Sequence, residues 1–235
     1  MAKHIGIVAV SPEGSALCYR QIFRQAARLV GDAGHPKVTL HNEPLEHYLA
    51  AVHRDDWPGV GELLRRSAAV LAGAGAEFCI TPDNLMQHGV HLAEVGSPIP
   101  WVLMTDLVAD AVTREARRVV GLIGTRLVMQ GSTYQTHLGL RGVQVLAPEG
   151  DDLTEVDRII FHELVYGVVS PSSQRRVVEM IGRLAARGCE GVILGSTEVP
   201  LLITPENSPL PVYDSTSLLA EGAVRHALGL RAGTG

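Results

Sequence analysis

The stretch GAEFCITPDN, residues 75–84, is stated again as GCEGVILGST, residues 188–197. Gly75 matches Gly188, Glu77 matches Glu190 and Ile80 matches Ile193. Each copy then leaves its apolar run for small or polar residues, Pro82-Asp83-Asn84 in one and Gly195-Ser196-Thr197 in the other. A short, largely apolar run that stops at turn-forming residues reads as a buried parallel strand ending in a loop. The repeat therefore predicts the same strand ending built twice, with a carboxylate at the close of one copy and a hydroxyl at the close of the other.

Working outward, HIGIVAV (4–10) is echoed by VVGLIG (119–124), with Gly6 opposite Gly121. The offset is 113 residues at the quoted motif and 115 at these first strands, a consistency that fits duplication. In the first copy, strands are predicted at 4–10, 36–42, 76–83 and 98–104, with helices over 16–30 and 59–74. The second copy has strands at 119–124, 143–148, 190–196 and 210–215, and helices over 128–140, 174–188 and 215–229. Alternating strands and helices imply parallel sheets covered by helices on both faces. The expected fold class is α/β, with two pseudosymmetric duplicated lobes, each a parallel sheet flanked by helices. The lobes are placed at 1–104 and 105–213, with a closing helix at 214–235 packing back on the first; about 110 residues each suits a small domain.

The chain has 235 residues, 46% hydrophobic and 19% charged, which is the balance of a globular protein. Its net charge of −5 and the absence of any basic run argue against a nucleic-acid or anionic-membrane partner and favour a small molecule. Three cysteines, Cys18, Cys79 and Cys189, form no CxxC pair and no metal spacing, as expected of reduced intracellular thiols. The apolar run at 5–10 is too short for a signal peptide or a membrane span, and the expected location is the cytoplasm. His88 and His91 stand at i, i+3, but no third ligand accompanies them, so a helix-terminal role is the expectation and no metal is assigned.

In open parallel sheets, ligands bind beyond the carboxyl ends of the strands. The residues just past each run, Ser11, Asp83, Asn84, Leu85, Thr125, Ser196 and Thr197, are accordingly candidates for the site. If two such lobes face one another, Asp83 and Ser196 approach a common cleft from opposite sides, an arrangement suited to racemisation or epimerisation. Taken alone, Asp83 in TPDN also reads as a turn or helix-cap residue, as do Ser196 and Thr197.

At these residues the chain resembles the cofactor-independent aspartate/glutamate racemase superfamily. GCEGVILGSTEVPLLI (188–203) is similar to that family's second catalytic motif, and GAEFCITPDNLMQH (75–88) lies where the family has its first. VVGLIGTRLVM (119–129) and PVYDST (211–216) resemble its crossover and closing segments. The resemblance implies proton transfer at the α-carbon of a small amino acid or carboxylate, without pyridoxal phosphate or another cofactor, by a homodimer. It places Asp83 and Ser196 at positions where the family carries a pair of cysteines. It also implies carboxylate binding by Asn84, Thr125 and Thr197, and makes Arg54 a candidate for a distal carboxylate, whereas Tyr166 stands where a lysine is often found.

Aspartate begins near a pKa of ~3.9, and desolvation raises it toward the operating range of a general base. Serine is a poor acid–base group without an activating base. Glu198, two residues on, is the candidate to orient or deprotonate Ser196. A one-base reaction such as a lyase or decarboxylase, or a non-catalytic carboxylate binder, is the alternative reading of the same residues.

Overall fold

The computed structural model describes residues 2–31 and 34–230. The chain divides into two compact units. One runs as far as Met104 and takes up the chain again from Thr216; the other is Thr105–Ser215.

The first unit contains β1 (Ile5–Ala9), α1 (Pro12–Val30), β2 (Val38–Asn42), α2 (Leu45–His53), α3 (Trp57–Gly73), β3 (Phe78–Ile80) and α4 (Gln87–Glu94). Its sheet has the order β2-β1-β3, parallel throughout, with Ile7 in register with Leu40 on one side and Ile80 on the other. β1 is buried along its whole length, as a central strand covered on both faces must be. Each large aliphatic side chain it removes from water is worth about 1.5–3 kcal/mol. Helix α1 starts cleanly because Ser11 caps it and Pro12 supplies a preset first turn; it buries Cys18, Ile22 and Ala26 at intervals of four.

α5 (Met104–Arg114) leads into the second unit, which holds β4 (Val119–Gly124), α6 (Arg126–Gln130), α7 (Thr133–Gly139), β5 (Gln144–Leu146), α8 (Gly150–His162), α9 (Pro171–Ala186), β6 (Val192–Gly195) and β7 (Val212–Asp214). Its sheet has the order β5-β4-β6-β7, again parallel. α9 repeats the design of α1: Ser170 caps it, Pro171 opens it, and Val177, Met180, Ile181 and Leu184 form the buried stripe. The closing helix α10 (Ser215–Leu228) returns to the first unit, where Ala227 accepts the Lys3 N–H at 2.7 Å and His226 meets the Phe78 ring edge-on.

The repeat seen in the sequence is a repeat of hydrogen bonds. Gly75 follows α3 with φ +90° and Gly188 follows α9 with φ +95°, a backbone state that favours glycine at both turns. After each glycine the chain makes the same two contacts. Ala76 N–H donates to Leu71 and Cys189 N–H to Leu184; then Glu77 N–H donates to His4 and Glu190 N–H to Val119, at 2.9 and 2.8 Å. The 113- and 115-residue offsets carry one pair of bonds onto the other.

Several elements depart from expectation. The strand at 98–104 shrinks to a single bridge between Trp101 and Cys79, because Pro98 and Pro100 have no N–H to give a ladder and Met104 already begins α5. The strand expected over 76–83 is β-paired only at Phe78–Ile80, since Pro82 ends it. The helix over 128–140 is two helices broken after Gln130 by the extended Gly131. Helices α2, α4, α5 and α8 go beyond the reading from periodicity. The closing helix begins at Ser215, because Asp214 belongs to β7, and its expected last residues, 231–235, lie outside the described residues.

Candidate active site

Register places the candidate residues on the carboxyl edges of the two sheets. In the first unit, Ile7 pairs with Ile80, so Ser11 and the turn at 82–84 leave the same edge. In the second, Gly124 pairs with Gly195, which brings Thr125 and Ser196 out side by side. That pairing is tight: a Cβ on Gly124 would stand 2.6 Å from the Gly195 carbonyl oxygen, so neither strand end tolerates a bulkier crossing there.

Asp83 is half-buried. Its Oδ1 accepts the N–H groups of Leu85 at 3.0 Å and Met86 at 3.1 Å, so the carboxylate holds the turn into α4. Gln87 locks this turn from inside. Its Nε2 donates to the carbonyls of Thr81 and Asp83, and its Oε1 accepts the Met104 N–H at 3.1 Å. Asn84 is buried beside it, and Leu85 is half-buried. Behind the turn stands Tyr48 from α2, with no exposed surface. Burial pushes its phenol up to about 12, opposed by the Ser67 hydroxyl and reinforced by the charges of Glu43 and Asp83. Gln87 and Tyr48 were not foreseen from the sequence. Gln87 sits directly after the motif, where an amide four residues from Asp83 was the available signal.

On the second edge, Glu198 gathers both hydroxyls. Ser196 Oγ donates to Oε2 at 2.6 Å, Thr197 Oγ1 donates to Oε1 at 2.8 Å, and the Glu198 N–H donates back to Ser196 Oγ at 3.2 Å. Ser196 and Thr197 are buried, and the segment turns at once into a short 3-10 helix, Val199–Leu201. That short helix has no side-chain cap; the three residues spend their side chains on the turn and on one another. Ser196 Oγ thus both donates to a carboxylate and accepts a backbone N–H.

The remaining candidates divide. Ser11 caps α1, its oxygen accepting the Gly14 N–H at 3.2 Å. Thr125 precedes α6 but caps nothing with its side chain; the first N–H of that helix, on Arg126, goes to Asp157 Oδ1 at 2.7 Å. Arg54 stands three residues before Trp57, whose ring meets His88 of α4 at 4.6 Å, so it lies on the Asp83 side of the first sheet. It ends α2, about 13 Å of helix beyond Leu45, with 67% of its side chain exposed and Asp56 4.0 Å away. Among the cysteines, Cys18 lies in α1, Cys79 in the middle of β3 and Cys189 ahead of β6, all buried. Burial pushes the Cys79 thiol up to about 12 and Cys189 upward as well. Among the described residues no group of three histidine, cysteine, aspartate or glutamate side chains is arranged to hold a metal ion, and no helix is long and apolar enough to cross a membrane.

Comparison with known proteins was made on this architecture. A candidate Asp/Glu racemase from Yersinia pestis superposes with a TM-score of 0.89 at 29% identity, covering 96% of this chain and 99% of that one. An aspartate racemase homologue from Pyrococcus horikoshii OT3 gives a TM-score of 0.87 at 26% identity, over 97% and 100% of the two chains. Glutamate racemase from Francisella tularensis, in complex with D-glutamate, shares the fold at 14% identity, with a TM-score of 0.69 over 100% of this chain and 85% of that one. The sequence model of the Asp/Glu/Hydantoin racemase family matches residues 7–223. With its two parallel sheets flanked by helices and that match across most of its length, the chain belongs to the Asp/Glu/Hydantoin racemase family.

Proposed function

We propose that this racemase-family protein moves a proton at the α-carbon of a small amino acid or carboxylate, without pyridoxal phosphate, using Asp83 on one face and Ser196 backed by Glu198 on the other. The observation that carries the reading is the 2.6 Å bond from Ser196 Oγ to Glu198. It answers the weakness of serine as an acid–base group: when Ser196 takes a proton from carbon, its own proton passes to Glu198, and no alkoxide is left behind. In the reverse sense, a protonated Glu198 returns a proton to Ser196 as Ser196 protonates carbon. Asp83 acts as base when ionised and as acid when protonated. Turnover in either direction thus needs one proton shared between Asp83 and Glu198, and inversion of the substrate transfers it from one to the other. Asn84, Leu85, Thr125 and Thr197 line the two strand edges as substrate contacts, and Ser11 adds a capped hydroxyl. Following the family resemblance, the working form is taken as a homodimer.

One observation favours a second reading. Asp83 already holds the turn into α4, as a purely structural aspartate would. A one-base lyase or decarboxylase, or a carboxylate-binding relative without turnover, would follow if that were its whole task. Proton NMR in D₂O with a panel of amino acids and 2-substituted acids separates these. Loss of the α-proton signal, abolished by Asp83→Asn, is the expected outcome, and chiral analysis then distinguishes inversion from one-face exchange. New products without inversion would establish the lyase. No exchange for any compound, alongside ligand-induced thermal stabilisation, would leave only the binder.

A further inference from the structure

We infer that the segment 161–169 sets substrate class, selecting compounds with an apolar side chain rather than a second carboxylate; this rests on the proton-transfer reading above. The segment, FHELVYGVV, exposes Phe161, Val165, Tyr166, Val168 and Val169, with Tyr166 76% and Val168 51% accessible. Five exposed large apolar residues within nine is a concentration that calls for an occupant.

Its placement within the second unit says which occupant. α8 does not run back down the sheet. Its start lies at the amino-terminal side, where Arg187, just ahead of β6, bonds Glu149 and the Ala147 carbonyl. Its middle lies at the carboxyl edge, where Asp157 receives the N–H of Arg126, two residues beyond β4. The five residues from Asp157 to His162 carry the helix about 8 Å further in the same direction. Arg158 and Ser173 fasten this end through Glu163, at 2.8 and 2.6 Å, and Gln174 donates to the Leu202 carbonyl in the loop leaving β6. The apolar crest therefore rises past the same sheet edge that carries Thr125 and Ser196.

The charges nearby are already engaged. Arg158 is held by Glu155 and Glu163, Arg176 by Glu155, and Arg126 by Asp157. Arg175 in α9 is exposed and has no ion pair among the described residues, which makes it the cation at this end of the second unit that is open to an acidic substrate. A crest of valine and tyrosine beside one such cation favours an aliphatic, thioether or aromatic side chain. A second copy of the chain is the competing occupant; a nine-residue segment offers less than the roughly 800 Å² per partner that a stable interface buries.

The test compares α-proton exchange for leucine, methionine and phenylalanine against aspartate and glutamate, in the intact protein and in Tyr166→Ser and Arg175→Ala. The residues are exposed, so melting temperatures should be unchanged. Expected is a preference for the apolar group, with Tyr166→Ser lowering kcat/KM for those substrates roughly tenfold, mainly through KM, and Arg175→Ala without effect. Preferred exchange of aspartate or glutamate, lost in Arg175→Ala, would overturn the inference while the proton-transfer reading stands. A change of sedimentation in Tyr166→Ser with unaltered substrate preference would assign the crest to a subunit contact and overturn it equally. Absence of exchange with every compound would remove the proton-transfer reading, and this inference with it.

Discussion

The Ser196 hydroxyl donates to the Glu198 carboxylate at 2.6 Å, and the Glu198 N–H returns a bond to the same oxygen. Hydroxyl and carboxylate two residues apart close a small ring at the end of β6, so neither side chain can be altered without changing the chemistry of the other. Glu198→Gln keeps the shape and removes the proton acceptor. Its expected effect is a loss of exchange of about 10²–10⁴-fold, as for removal of a general base. Ser196→Ala should cost a similar factor, and the double variant little more than either, because the two act as one unit. Additive losses would mean that Glu198 serves some separate purpose.

Asp83 carries two duties that can be pulled apart. Asp83→Asn leaves a carbonyl oxygen able to accept the Leu85 and Met86 N–H groups, so melting should move little while exchange disappears. Asp83→Ala removes these turn bonds as well and should destabilise by about 1–3 kcal/mol, the range for buried donors left without a charged acceptor. If Asp83→Asn kept full activity, the carboxylate would be a turn residue and nothing more. Thermal melting and exchange rates on the two variants, measured together, decide it.

This double duty explains where the sequence was legible and where it was not. The glycines at 75 and 188, the apolar runs behind them and the polar residues after them are local features, and they gave the two strand endings, the parallel sheets and the candidate edge. The Ser196–Glu198 contact was also within reach, since two residues past a strand end cannot separate far. Tyr48 was not, because it reaches Asp83's surroundings across 35 residues of chain through α2, a helix whose mixed pattern gave no clear period. The strand expected at 98–104 is reduced to one bridge for a local reason: two prolines in three residues deprive a ladder of donors. Arg54 is a case like Tyr48: its place on the Asp83 side of the sheet follows from the packing of Trp57 on His88, residues 31 apart in the chain.

The thiols offer a test that is independent of any substrate. Cys18, Cys79 and Cys189 are all buried, and burial pushes Cys79 up to about 12. A thiol so placed is neither accessible nor ionised near neutral pH, and the thiolate is the reactive form. A disulfide-type thiol reagent at pH 8 is expected to titrate none of the three in the native protein and all three after denaturation. Treatment with it should leave exchange activity intact. Rapid labelling of one cysteine with parallel loss of activity would return the chemistry to a thiol and displace Asp83 and Ser196.

Stability at low pH has a readable sign at Asp106. This α5 carboxylate pairs with His137 and with Arg141 of the segment after α7, its Oδ1 3.3 Å from each. The hydrogen bond with His137 is the largest cause holding its carboxyl below the usual carboxylate range; the charges of His137 and Arg141 add to it against the cost of partial burial. A carboxyl depressed in the folded state stabilises fully above its unfolded value of about 3.9 and loses that contribution as pH falls through the lower, folded value. Asp106 is 44% exposed, so solvent screens the pair and its worth is about 0.2–1 kcal/mol. Asp106→Asn should therefore lower the melting temperature modestly at pH 7, and the gap to the parent protein should narrow steadily as the buffer is taken from pH 4 toward pH 2. Added salt at pH 7 should shrink the same gap, because an exposed ion pair is screened. A gap that stayed constant across the acid range would assign the loss to packing between α5 and α7 instead of to the charge.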